Sequence, residues 1–120
     1  MLFKSVLEQD TAPVVLCDIK HTIVYMNPAA CEHYEKYGGK ALLGKSVLDC
    51  HNPKSRQIIQ KVLDWFAEDR SHNRVHTLFL EKQNLDVYMI ALRADSGDLI
   101  GYYEQQVFRT PDNAPLYEMK

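Results

Sequence analysis

At 120 residues the chain suits one domain and is long enough to bury an apolar core without disulfide or metal support. Hydrophobic residues at 46% and charged residues at 25% are those of an ordinary folded protein, which argues against disorder over most of the length. The formal net charge is -2 and the lysines and arginines are scattered, which argues against a nucleic-acid track; no apolar run approaches the roughly 20 residues of a membrane span.

In chain order, residues 1–10 predict a short helix with Leu2, Val6 and Leu7 along one side. This opening lacks the apolar stretch and cleavage site of a signal peptide, so a cytoplasmic protein is expected. Cys17, Cys31 and Cys50 are odd in number and show no framework spacing, which suits reduced thiols. Residues 14–18 and 23–26 read as two strands of a hairpin. Asn27-Pro28 then starts a helix, because Asn is a good N-cap and Pro at the first helical position loses nothing by lacking its N–H. That helix should stop before Gly38-Gly39, with an irregular stretch to residue 49.

Asn52-Pro53 repeats the start signal and opens the strongest helix, residues 53–68, with Ile58, Ile59, Val62, Leu63 and Phe66 at helical spacing. Three strands follow a polar loop: residues 74–82, 85–94 and 99–108, with turns at 83–84 and 95–98. In the first of them Val75, Thr77 and Phe79 alternate with His76, Leu78 and Leu80. In the second, Leu85, Val87, Met89 and Ala91 alternate with Asp86, Tyr88, Ile90 and Leu92. Residues 110–120 carry two prolines and no apolar period, so the expected division is one domain over 1–109 and a loosely held tail. Strands joined by short turns demand an antiparallel sheet, and helices gathered in the middle must cover one of its faces; the fold class is α+β.

This order of elements resembles the PAS family. Tyr25-Met26-Asn27-Pro28-Ala29-Ala30 is similar to the PAS segment in which a strand ends in Asn and opens a helix. Leu42-Leu43-Gly44-Lys45-Ser46 is similar to the step before the family's long helix, and Asp98-Leu99-Ile100-Gly101-Tyr102 to its approach to the last strand. The resemblance covers about residues 5 to 109 and implies a five-stranded antiparallel sheet in the order 2-1-5-4-3, with helices on one face closing a pocket. Residues 46–55, with Cys50-His51-Asn52-Pro53-Lys54-Ser55, further resemble a Cys-His-Pro-Pro-Lys-Ser word of some bacterial PAS regions, some of them attached to hemerythrin-like domains; here Asn52 replaces the first Pro.

The resemblance implies a sensor that binds a small ligand and acts on another protein. The pocket is expected between the long helix (Ile58, Ile59, Val62), the sheet (Leu78, Leu80, Tyr88, Ile90, Tyr103) and the helical turn (Leu43, Val47), with Cys50, His51 and His76 as its reactive members. A thiol at a helix start can have a lowered pKa, and His51 or His76 could hold haem iron. Against that stands the plainer reading, in which His51 braces a turn and Cys50 packs on the sheet; no C-x-x-C pattern or four-ligand set marks a metal site. His21 and His33 read as surface residues. Flavin photoreceptors of the family place a Cys three residues after the glycine of the Gly-Lys step, where this chain has Val47, which argues against flavin. No catalytic motif occurs, so no enzyme activity is expected. Leu2, Phe3, Val6 and Leu7 are the expected seam of a homodimer, and a ligand-free dimerisation module is the alternative to a sensor. The last strand leaves little chain for an output element, so output is expected through a partner or a longer parent chain.

Overall fold

Both Asn-Pro steps become helix starts. In the computed structural model, which describes residues 2–119 apart from the side chain of Cys50, the Asn27 Oδ1 accepts from the Ala30 N–H at 2.9 Å and Pro28 opens α2 (Pro28–His33). Asn52 Oδ1 accepts from the Ser55 N–H at 2.8 Å and Pro53 opens the long helix α3 (Pro53–Glu68). A short helix α1 (Leu2–Gln9) precedes them. α2 ends earlier than the sequence suggests, and the chain goes on in short 3-10 turns at Glu35–Tyr37, Gly39–Leu42 and Val47–Cys50. Gly38 and Gly39, at φ 120° and 51°, make the reversal between the first two.

The strands are β1 (Val15–Asp18), β2 (Ile23–Met26), β3 (Arg74–Leu80), β4 (Leu85–Arg93) and β5 (Leu99–Phe108). They form one antiparallel sheet in the order β2-β1-β5-β4-β3, as expected for the fold class. α3 buries Ile59, Leu63 and Phe66 against β4 and β5, joining Cys17, Ile23, Met26, Met89 and Tyr102 in the core. Among the described residues no helix is long and apolar enough to cross a membrane.

The strand faces differ from the sequence expectation. Tyr88 and Ile90 lie on the outer face of the sheet, while Leu85, Val87 and Met89 of the alternate set are buried. β3 does not keep a strict period of two, because its register shifts between His76 and Leu78: His76 pairs with Tyr88, whereas Leu78 pairs with Val87. The shift puts His76 on the outer face, apart from Leu78 and Leu80. There its Nε2 lies 2.9 Å from the Asp86 carboxylate and its ring stacks on Tyr88. Arg109 grips the same carboxylate with two nitrogens at 2.7 and 2.8 Å and holds it below the usual carboxylate range.

Arg93, at the end of β4, fixes the end of α3. Its guanidinium donates to the carbonyls of Phe66 (2.6 Å), Asp69 (3.1 Å), His72 (3.1 Å) and Gly97 (3.0 Å) and to Asn73 Oδ1 (2.6 Å). These include the free carbonyls that a helix end leaves without intrahelical partners. A lysine has no planar fork to reach them together. Arg93→Lys is expected to lower stability by about 2 kcal/mol in urea denaturation. An unchanged midpoint would show that the loop after α3 holds itself.

Candidate functional site

Between the sheet and its helical cover lies a cavity of about 310 Å³, at the lower end of the roughly 300–1,000 Å³ typical of small-ligand sites. Val15, Cys17, Ile23 and Met26 of the first hairpin form one wall; Met89, Tyr102, Glu104 and Gln106 form another. Tyr34, Tyr37, Leu42, Val47, His51 and Ile59 close it from the helical side, with Pro13 at its edge. The register explains the second wall. Ala91 pairs with Tyr102, Met89 with Glu104 and Val87 with Gln106, so all three β5 side chains share the face that buries Met89.

Of the residues expected in a pocket, Val47, His51, Ile59 and Tyr103 border this cavity. Tyr103 does so from a position whose register partners, Leu16 and Ile90, belong to the outer face. Leu43, Ile58 and Leu78 are exposed instead. Leu80 borders a separate shallow hollow with Leu85 and Phe108, and Val62 packs on the core without reaching the cavity. Tyr88, Ile90 and His76 are on the far side of the sheet, so His76 is not placed to serve a cavity ligand. The side chain of Cys50 lies outside the described residues.

Much of the wall is neutral and internally bonded. His21 is buried rather than on the surface. The β1–β2 turn, at φ 69°, brings its ring inward to Tyr102 Oη (2.7 Å from Nδ1) and Gln60 Oε1 (2.9 Å from Nε2). Gln60 Nε2 donates to Asp64 at 2.9 Å, which turns its oxygen toward His21. His21 Nε2 must then donate, and Nδ1 accepts the Tyr102 hydroxyl proton. The Cys17 side chain stands beside Tyr102 as its register partner across β1 and β5, and the Tyr102–His21–Gln60 bonds run from the cavity wall to the surface of α3. Burial pushes the Cys17 thiol up to about 11 and the Tyr102 hydroxyl above its ordinary range, so both are uncharged at neutral pH. A thiol held that high is a poor nucleophile.

Two polar groups stand apart. His51 is held by Ser46–Cys50: its Nδ1 donates to the Val47 carbonyl at 2.8 Å, and Arg56 Nε clamps the carbonyls of Leu48 (2.8 Å) and His51 (2.9 Å). Among the described residues nothing bonds its Nε2. The Glu104 carboxylate likewise has no hydrogen-bond partner among them. Glu104 is an exposed residue that borders the cavity. Desolvation beside the cavity raises its pKa above the ordinary value. The sequence does not single out Glu104, because its place at the cavity follows from the pairing of β5 with β4, where it stands opposite Met89.

A model of the family described as PAS fold matches residues 7–105. No curated protein matches the chain. Among solved structures, the chain is similar to the C-terminal domain of a Streptococcus mutans protein, at 21% identity and TM-score 0.65, over 87% of this chain and 80% of that one. It is also similar to the PAS domain of a protein from Colwellia psychrerythraea, at 11% identity and TM-score 0.63, over 91% and 97%. A third is the Aer2 receptor of Vibrio cholerae, described as a dual PAS-heme oxygen sensor, at 20% identity and TM-score 0.57, over 82% and 94%. At these identities the likeness concerns the fold.

Proposed function

We propose, from the premise that the chain belongs to the PAS fold family, that it is a sensor module whose cavity takes a small, largely apolar ligand and whose output passes to another protein. The observation that carries this reading is the cavity of about 310 Å³ with two polar groups, Glu104 and His51, that the described protein leaves unbonded. An apolar pocket with a few unsatisfied polar groups is how small-ligand sites combine affinity with orientation. The reading assigns no catalytic residue, and the free thiols of Cys17 and Cys31 suit a cytoplasmic setting. The Cys-His word at residues 50–51 supports placing the chain with the bacterial PAS regions that carry it.

For output, Leu2, Phe3 and Val6 on α1 are exposed, while Leu7 is half-buried and gives its carbonyl to Asn27 at 3.0 Å. α1 is thus tied to the domain by polar contacts, with apolar side chains left bare, which supports the homodimer seam without Leu7 at its centre. Ligand binding acts on such a contact by favouring one of two arrangements.

The experiment is a native mass spectrum and an absorption scan of protein purified from its own host. A bound mass lost on unfolding is the expected result. A Soret band would assign the ligand as haem and make His51 the residue to mutate first. A colourless protein of bare mass, whose thermal midpoint no small apolar or aromatic compound raises, would overturn the sensor reading and leave a dimerisation module.

A further inference from the structure

The cavity's polar groups point to one class of ligand. His51 Nδ1 donates to a carbonyl, so in the neutral ring Nε2 carries a lone pair and no proton. The Glu104 carboxylate also only accepts when ionised. Gln106 can serve either way, and the Tyr102 hydroxyl proton is committed to His21. Among the described residues neither lysine nor arginine borders the cavity, so nothing there would neutralise an anionic ligand. Next to an unpaired carboxylate, a ligand anion would meet repulsion. A ligand with an N–H-rich head would instead supply the donors that both acceptors lack.

From this the geometry points to an amine ligand: an apolar or aromatic body in the cavity, with a protonated nitrogen held by Glu104 and facing His51 Nε2. This rests on the small-ligand reading above and names the ligand's chemistry within it.

The test uses 2-phenylethylamine, 3-phenylpropionate and ethylbenzene, which share a body and differ in the head. The methyl groups of Met26 and Met89, both in the cavity wall, report binding by NMR. The wild-type protein should bind the amine at least about tenfold more tightly than the propionate, the worth of one charge-assisted hydrogen bond. Glu104→Gln should remove most of that preference and leave ethylbenzene binding unchanged. Equal or tighter binding of the propionate, or an amine preference that survives in Glu104→Gln, would overturn the inference while leaving a small-ligand cavity in place. If none of the three compounds moves either methyl resonance, the cavity reading fails and the amine inference with it.

Discussion

Asn27→Asp is expected to destabilise the protein by about 3 kcal/mol or more at neutral pH. Asn27 is fully buried, and its amide serves both its ends. The oxygen accepts from the N–H groups of Val14 and Ala30, each at 2.9 Å. The nitrogen donates to the carbonyls of Leu7 (3.0 Å), Ala12 (3.0 Å) and Asp10 (3.3 Å). One side chain therefore caps α2, holds the chain before β1 and anchors the end of α1. Aspartate has almost the same shape and keeps the acceptor half. Its second oxygen, however, would face three carbonyls with a charge and no proton, in place of a donor. Each buried polar group stripped of its partner costs about 1–3 kcal/mol, and a charge more. Urea denaturation measures the loss, and amide exchange should show α1 released ahead of the sheet. Protonating the new carboxyl restores a donor, so the gap to wild type should narrow as pH falls. A loss below about 1 kcal/mol would mean that α1 is held by its other contacts, such as the 2.8 Å bond from Tyr25 to Glu8.

Local chemistry was readable from the sequence because it acts over a few residues. The two Asn-Pro caps depend on groups three positions apart, and the α3 core face on a repeat that Ile59, Leu63 and Phe66 satisfy. Ile58 sits beside Ile59 in the chain but one step round the helix, which carries it to the exposed side. Strand faces were harder. A period of two separates the two sides of β4 without saying which is inner, and the bulge in β3 breaks the period between His76 and Leu78. His21 and Glu104 were out of reach for another reason. The first is buried by partners at Gln60 and Tyr102, far along the chain; the second belongs to the cavity only because β5 pairs with both β1 and β4. Site chemistry in this fold is assembled across the central strand, and local sequence carries little record of that.

Gly101→Ala is expected to do at least comparable damage, through geometry rather than polarity. Gly101 is buried in β5, opposite Asp18 of β1 and Leu92 of β4. A Cβ there would press into the carbonyl oxygen of Cys17 and come within 3.3 Å of its carbonyl carbon. That obstacle is backbone, with no side chain to swing aside, so β1 would have to leave its place against β5. The ladder from Leu16–Tyr103 to Asp18–Gly101 would be strained, and with it the contact of Cys17 and Tyr102 in the cavity wall. A loss of about 3 kcal/mol or more is expected in urea denaturation, above the ordinary range for a single substitution. Gly44→Ala provides the contrast. Gly44 has φ 85°, yet nothing lies within 4 Å of its would-be Cβ, so only the backbone strain of about 1–2 kcal/mol applies. If Gly101→Ala costs no more than Gly44→Ala, β1 and β5 are not packed this closely, and the cavity wall they share would be wider than its present shape. Should the larger loss appear, the close approach of these two strands is what fixes the position of Tyr102, and through it the chain of hydrogen bonds to His21, Gln60 and α3.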